Sequence, residues 1–529
     1  MHNKIEQLTQ EAKKGRLSRR DFMRHAAAIG LAAPLATSLL GQSAFAAEAP
    51  KKGGHLIAAL TGGSSTDSLD PALSASNVPF NILRTWGETL VDISPEGEAI
   101  PWLAESWDSS NNAQTWTFTI RKGITFHNGK TMDNNDVAKT LQRHSGEDTK
   151  SGALGIMRDI KSITTQGTDK VVVELTGGNA DLPYLMSDYH LVIQPNGGFD
   201  APAAGVGTGP YKVKVNEPGI RHVGEKYDGY WRDSVGHADT VEIRVMNDQT
   251  ARMAALQSGS VHFVNRVAPK TAKLLGRLPN VDIVNAKGRG HYPFLMHADT
   301  APYDNNELRM ALKYAIDRDD LVKRILKGYG SVGNDNPINA AYDLFNADIE
   351  QRAYDPDKAA FHYKKSGHSG PIVLRSSEAA FSGAVDAALL FSQHAAKAGI
   401  EVKVQKEPAD GYWSNVWNKQ PFCASYWGGR NTQDQMFSVA YKSTADWNDT
   451  KWQRPEFDSL LAKARTETNR DNRKEIYTDM SMMVRDEGGA IIPMFNDFVD
   501  AKSSKVGGYI TDPSAELSNG FALIRCWLA

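Results

Sequence analysis

The densest run of chemically capable residues lies late in the chain, where Tyr412, Trp413, Trp417, Tyr426, Trp427, Trp447 and Trp452 fall in one short stretch. Within it, Tyr426-Trp427-Gly428-Gly429-Arg430-Asn431-Thr432-Gln433-Asp434 sets flat rings beside two glycines, a guanidinium group, amides and a carboxylate. Rings supply contact area at low entropic cost, glycines let backbone approach a ligand, and arginine grips a carboxylate through two parallel N–H groups. The candidate ligand-binding residues are therefore Arg430, Trp427, Gly429, Asn431 and Asp434, with Trp413 and Tyr412 upstream. The same residues also suit a packed core in which tryptophans bury one another and Arg430 pairs with an acid such as Asp434. Residue content alone leaves pocket and core equally open.

Signatures of catalysis and of metal binding are missing. Gly129-Lys130-Thr131 echoes the end of a phosphate-binding loop, but the upstream glycine that motif needs would fall at Ile124, and Gly123 is one residue out of register. It reads as a turn after a strand. The chain has no Gly-x-Ser-x-Gly elbow, no His-Glu-x-x-His pair and no Cys-x-x-Cys. Two histidine pairs, His291 with His297 and His362 with His368, are spaced six apart, which puts them on one face of a strand but on opposite faces of a helix. Ordinary hydrogen-bonded histidines fit that spacing better than metal ligands. No catalytic residue, metal or cofactor is expected, although acid/base carboxylates leave no sequence signature. An exported hydrolase remains the remote alternative.

The elements that must position the aromatic stretch belong to a long, soluble-type chain. Its 529 residues leave room for two or three domains, and 41% hydrophobic with 23% charged residues fits a globular protein. A net charge of −2 gives no general grip on nucleic acid. The N-terminus carries Arg19-Arg20, an apolar stretch Ala26–Leu40 too short and too interrupted to span a membrane, and the small-x-small pattern Ala44-Phe45-Ala46. This is the layout of a twin-arginine export signal over residues 1–46, cleaved near Ala46, with no cysteine for a lipid anchor. Its removal takes seven basic and three acidic residues with it and leaves an acidic mature chain. Cys423 and Cys526 are far apart in sequence and read as two buried small apolar side chains.

After the signal, short strands and helices mix from end to end. Thr115–Ile120 alternates polar and apolar residues as a half-buried strand does, while 171–175, 241–246, 281–284, 372–374 and 401–404 are short and β-branched. Apolar residues at helical spacing predict one helix over Asn306–Lys327. Asp355-Pro356 predicts the start of another, stopped at Gly367. This is an α/β or α+β protein. Turn formers cluster over 195–210 and at Gly288-Arg289-Gly290, the two best crossover points between packed parts.

Several segments in order resemble one family, the extracytoplasmic solute-binding proteins of peptide, opine and nickel ABC transporters. They are Ser68-Leu69-Asp70-Pro71, Leu103–Trp107, Trp116-Thr117-Phe118, Phe126–Lys130, Gly207–Tyr211, Pro302–Asn305, Arg309–Arg318 and Tyr354-Asp355-Pro356. The resemblance implies an α/β, two-lobed periplasmic binding protein fold of type II with an extra subdomain in the first lobe. Lobe I would comprise 47–85, 205–290 and 498–529, the subdomain 86–204 and lobe II 291–497. It further implies a monomer that is not an enzyme. This would be a periplasmic protein that binds a small-molecule solute by hinge closure and hands it to an ABC permease and ATPase complex in the inner membrane, after passage through the twin-arginine export machinery. In peptide-binding members of the family, a segment matching Tyr426–Phe437 carries an aspartate for the peptide's amino group, and Arg430 stands at that place. Arginine favours a carboxylate over an ammonium group, so an opine-like solute or a modified amino acid or peptide is expected. A di- or oligopeptide or a nickel chelate is the alternative within the family.

Overall fold

The computed structural model describes residues 49–529 apart from 75, 147, 409–411 and 446 and the side chains of 413 and 414. The export signal expected over 1–46 lies outside the described residues. A seven-stranded sheet runs, in spatial order, Val281–Ala286, Phe498–Ser503, Phe263–Val264, His55–Leu60, Thr240–Val245, Arg221–Lys226 and Tyr211–Glu217. Its central strand His55–Leu60 is parallel to both neighbours. A strand covered on both faces needs an unbroken apolar run, which Leu56-Ile57-Ala58-Ala59-Leu60 supplies, all of it buried. A six-stranded sheet runs Gly330–Val332, Ala490–Asn496, His291–Met296, Phe422–Ala424, Ile372–Ser376 and Val402–Lys406. Between the first two strands of the larger sheet in sequence, an insertion carries a four-stranded antiparallel sheet, Ala104–Ser110, Thr115–Ile120, Lys170–Leu175 and Ile160–Gln166. There Trp116, Phe118 and Ile120 point inward on alternate positions. Each of the three sheets has its own buried apolar cluster.

The two large sheets are joined by two chain crossings, between Ala286 and His291 and between Asn496 and Phe498. The crossings touch. The Asn496 N–H donates to the Gly290 carbonyl at 3.0 Å and the Asn285 amide to Asp497 at 2.7 Å. A Cβ on Gly288 would stand 2.8 Å from the Asn496 carbonyl oxygen, and one on Gly290 would stand 2.8 Å from its side-chain oxygen. Glycine at both places is what lets the segments run side by side.

The helix expected over Asn306–Lys327 is two helices, Asn306–Tyr314 and Arg318–Arg324. The break has a local cause. Asp317 caps the second helix by accepting the Asp320 N–H at 3.0 Å, and the Arg318 guanidinium takes the Lys313 carbonyl at 2.9 Å, ending the first. Apolar periodicity runs through because both helices pack on one core. The helix Pro356–Ser366 has the expected ends, with Asp355 accepting from Lys358 at 2.9 Å and Gly367 left-handed at φ 69°. Gly129-Lys130 is a turn in which Gly129 has φ 86° and Lys130 pairs with Asp136.

Two buried charged devices tie these parts together. Lys313, fully buried, donates to the carbonyls of Val484, Arg485 (2.8 Å) and Gly488 (2.8 Å) at the C-terminal end of the helix Arg470–Glu487. Burial pulls its pKa down to about 7. In the second device, the insertion meets the six-stranded lobe through Asp181 and Arg473 at 2.7 Å, through the Ala180 N–H on the Arg465 carbonyl at 2.7 Å, and through Arg465 and Asp159 at 3.3 Å.

Each device yields a prediction. Lys313→Met removes the lysine's hydrogen bonds from this buried helix end, a loss of about 1–3 kcal/mol. An unfolded lysine keeps its proton far above the point where the folded one gives it up, so native stability rises with pH between the folded and unfolded pKa values. Urea unfolding should therefore show a larger loss for the variant near pH ~9 than near pH ~6, and equal losses would contradict the assignment. Asp181→Asn strands the Arg473 charge only while the insertion and the six-stranded lobe are together, at a cost of about 3–5 kcal/mol to that closed arrangement. Small-angle X-ray scattering of the ligand-free variant should give a larger radius of gyration than the parent, and an unchanged radius would show that the pair does not hold the parts together.

Candidate ligand-binding site

The stretch around Arg430 is placed by the crossing just described. Strand Phe422–Ala424 lies antiparallel to His291–Met296. Past it, Trp427 exchanges two backbone hydrogen bonds with His291, at 2.9 and 3.0 Å, one residue beyond Gly290. A Cβ on Gly429 would lie 2.3 Å from Arg289 Cβ, so glycine is required for the segment to pass the crossing. The segment ends at Thr432, whose hydroxyl caps the helix Gln433–Ala440 by accepting the Gln435 N–H at 3.2 Å.

Arg430 is half-buried and has no carboxylate within ion-pair range among the described residues. Its Nη1 donates to the carbonyls of Gly428 (3.1 Å) and Gly429 (3.0 Å), and its guanidinium carbon stands 5.5 Å from the Trp427 ring centroid. Burial pushes its pKa below the usual range, while Tyr342, Tyr189, Asp188 and Tyr426 nearby act in the opposite sense. A guanidinium drawn partly out of water with only carbonyls for company is a ready acceptor site for an anion. Asp434, the acid that could have satisfied it, is instead buried against Arg465, whose Nε donates to it at 2.8 Å. Burial raises the Asp434 pKa.

The other candidates divide. Trp427 is buried at 6% exposure, and its indole N–H donates to Asp449 at 2.9 Å. Trp417 donates to the same oxygen at 2.9 Å, and Trp447 stands edge-on to both rings at 6.3 and 6.0 Å while remaining 52% exposed. Burial pushes the Asp449 carboxyl up to about 7. This carboxyl locks the plane of Trp427 under Arg430. Asn431 reaches Ser187 of the insertion at 3.2 Å, so it spans the cleft between the lobes. Tyr412 lies in the core of the six-stranded lobe with its hydroxyl on the Ala424 carbonyl at 2.8 Å. The Trp413 side chain lies outside the described residues.

Several residues of the site gave no sequence cue. Tyr342 is buried, and its hydroxyl accepts the Arg430 N–H at 3.1 Å. Arg289, 1% exposed between two glycines, donates to the Ala341 carbonyl at 2.9 Å and to Ser514 at 3.2 Å and leaves Nη2 without a partner. Its flanking glycines were the one available signal. On the opposite wall, Tyr189 and Asp188 of the insertion stand near Arg430. A cavity of about 230 Å³ lies beyond Thr432 and Gln433 and is lined by Trp116, Tyr184 and Tyr477 among others. Its charges are already matched, Arg473 by Asp181 and Arg470 by Asp343 at 2.7 Å. Arg430, by contrast, has no carboxylate partner among the described residues.

Nothing else in the described residues suggests chemistry. No group of three or more His, Cys, Asp or Glu converges on a metal-sized space. His291 is fully buried with its pKa depressed to about 3, and His362 is bound to Glu307 at 2.6 Å. Cys423 and Cys526 are both free and buried. No helix is long and apolar enough to cross a membrane.

The comparisons with known proteins agree on one group. The sequence model for bacterial extracellular solute-binding proteins, family 5, middle region, matches residues 98–449. The chain is 25% identical over 476 residues to the glutathione-binding protein GsiB of Pectobacterium atrosepticum, covering 86% of this chain and 92% of that one. It is 23% identical over 453 residues to the dipeptide-binding protein of Escherichia coli K12, covering 79% and 84%. Among solved structures, the binding protein AgaA of A. tumefaciens R10 in complex with agropinic acid superposes with a TM-score of 0.76 at 23% identity, covering 90% of this chain and 99% of that one. The substrate-binding protein CtaP of Listeria monocytogenes superposes with a TM-score of 0.80 at 19% identity, covering 90% and 100%. The two large sheets are thus the lobes of a two-lobed periplasmic binding protein fold, and the chain belongs to the bacterial extracellular solute-binding proteins of family 5.

Proposed function

We propose that this solute-binding protein captures a small carboxylate-bearing solute, opine-like or a modified amino acid or peptide, between its lobes and delivers it to an ABC permease and ATPase without turning it over. The observation that carries the reading is Arg430, set in the interlobe cleft beside Trp427 and Tyr426 with no carboxylate partner among the described residues. A planar guanidinium suits the two oxygens of a carboxylate and repels an ammonium group, which disfavours the free amino end of an ordinary peptide. The relatives named for glutathione and agropinic acid support a carboxylate-bearing solute. In this reading, lobe I comprises 47–85, 205–290 and 498–529, the added subdomain 86–204 and lobe II 291–497. Differential affinity for the closed form would convert solute binding into a shape that the permease reads. The protein would act as a monomer in the periplasm, exported through the twin-arginine machinery with its signal removed near Ala46.

Thermal-shift titration with glutathione, agropinic acid and other amino-acid conjugates tests this. A charge-assisted bidentate contact contributes about 1.5–3 kcal/mol. Arg430→Ala should therefore weaken binding of whichever solute stabilises the parent by ~10- to ~100-fold, and Arg430→Lys should recover part of it. Undiminished affinity in Arg430→Ala would remove Arg430 from the site.

A further inference from the structure

The carboxylate bonded to Trp427 is unlike other buried acids of its lobe. Asp335 is shared by Arg318 and Arg352, and Asp434 is held by Arg465, whereas Asp449, 2% exposed, has no cation within ion-pair range among the described residues. Lys451, the basic group of its own loop, bears on it from outside that range. The Cys423 thiol of the strand Phe422–Ala424 and the Tyr441 phenol at the end of the helix Gln433–Ala440 also lie near it, and burial pushes both up, which leaves them neutral. What Asp449 holds instead is two indoles, since Trp417 and Trp427 both donate to its Oδ2 at 2.9 Å. A charged carboxylate taken out of water without a cation destabilises a fold, where an apolar residue of similar size would not. Stability therefore does not account for an acid at this position.

Its contacts lead to Arg430. The loop that carries Asp449 is fixed on both sides, with the Asn448 amide on the Trp452 carbonyl at 2.6 Å and the Thr450 carbonyl accepting the Ala298 N–H at 2.7 Å. Trp417, the second tether on the same oxygen, packs against Leu295, Ile492 and Phe495 of the six-stranded sheet. Trp427 lies past the end of its strand, held by its backbone pair with His291 and, through its indole N–H, by Asp449. The Arg430 side chain bonds to the carbonyls of its own segment, Gly428 and Gly429, and lies against the Trp427 ring at 5.5 Å. The plane of that ring therefore sets where the guanidinium points its remaining N–H groups. A fixed loop thus acts on the arginine through one carboxylate and one ring.

We propose that Asp449 is a positioning residue for solute capture: by bonding the indoles of Trp417 and Trp427 with one oxygen it fixes the platform on which Arg430 meets the solute's carboxylate, so that its loss costs capture without costing the fold. This rests on the assignment of Arg430 to the site and adds to it the buried group that orients the arginine.

The test uses the full mature chain, stripped of solute by unfolding and refolding, incubated with a small-molecule extract of bacterial cells and desalted, with the captured solute released and quantified by mass spectrometry. Asp449→Asn keeps an oxygen for the indoles but not its charge, and neutral hydrogen bonds are about half as strong as charge-assisted ones, so its capture should fall about threefold or more. Asp449→Leu leaves both indole N–H groups without an acceptor and should lose about tenfold or more, so that Asn stands between Leu and the parent. Asp449→Asn should nonetheless melt no lower than the parent at pH ~8, because it removes a buried charge that has no cation. In an Arg430→Ala background the same substitution should change capture less than about twofold, the non-additivity expected of one residue acting through another. Parent-level capture by Asp449→Asn, a loss of capture that comes with a lower melting temperature, or a full loss in the Arg430→Ala background each overturns the proposal. If Arg430→Ala loses capture and Asp449→Asn does not, the Arg430 reading survives without this one. Capture that is indifferent to both residues, or no captured solute at all, counts against both readings.

Discussion

The close contact of two chain crossings is the constraint on which the rest of the molecule depends. Lobe I and lobe II are covalently joined only where Gly288-Arg289-Gly290 runs beside Asn496-Asp497, and their backbones touch because neither glycine carries a Cβ. Arg289 fills the junction. Its side chain stands 5.3 Å from the Tyr342 ring, reaches Ser514 of lobe I and bears directly on Gly429. The segment carrying Trp427 and Arg430 is pinned to His291, the first residue after the crossing. A rotation at this junction would move the site with it, which couples the presence of a solute to the relation of the lobes without any longer chain of contacts.

Buried polar groups brace lobe II on its side of that junction. Lys313 and Arg309 satisfy the carbonyls at the end of the helix Arg470–Glu487, and Arg318 and Arg352 share the buried carboxylate of Asp335 at 2.6 and 2.9 Å. Such groups are costly to bury singly and stable only when their partners are all in place. They fix lobe II as one unit, whereas Arg430 has two carbonyls of its own segment and no carboxylate among the described residues.

Much of this architecture was legible in the sequence, because local rules apply locally. The alternation in Thr115–Ile120 and the Asp355-Pro356 start with its Gly367 stop each depend on neighbours a few residues away. The break at Ala315–Asp317 was hidden because the apolar period continues through it, and only the capping by Asp317 and the reach of Arg318 reveal it. Trp427 and Arg430 were visible as residue types, but their composition could not decide between core and cleft. The answer depended on whether Asp434 faces Arg430 or Arg465, a choice made by the packing of helices far along the chain. Tyr342 and Asp449 were beyond reach. Each is an ordinary residue in an ordinary context until the fold brings it to the cleft.

The candidate site thus combines Arg430, the aromatic faces of Trp427 and Tyr426 and glycines that let backbone pass the junction. The most direct measurement is a crystal structure of the mature protein with the solute it retains or captures. Density is expected between the lobes with a carboxylate on the Arg430 guanidinium beside Tyr426. Solute lying in the cavity lined by Trp116, Tyr184 and Tyr477, or touching neither Arg430 nor Tyr426, would contradict it.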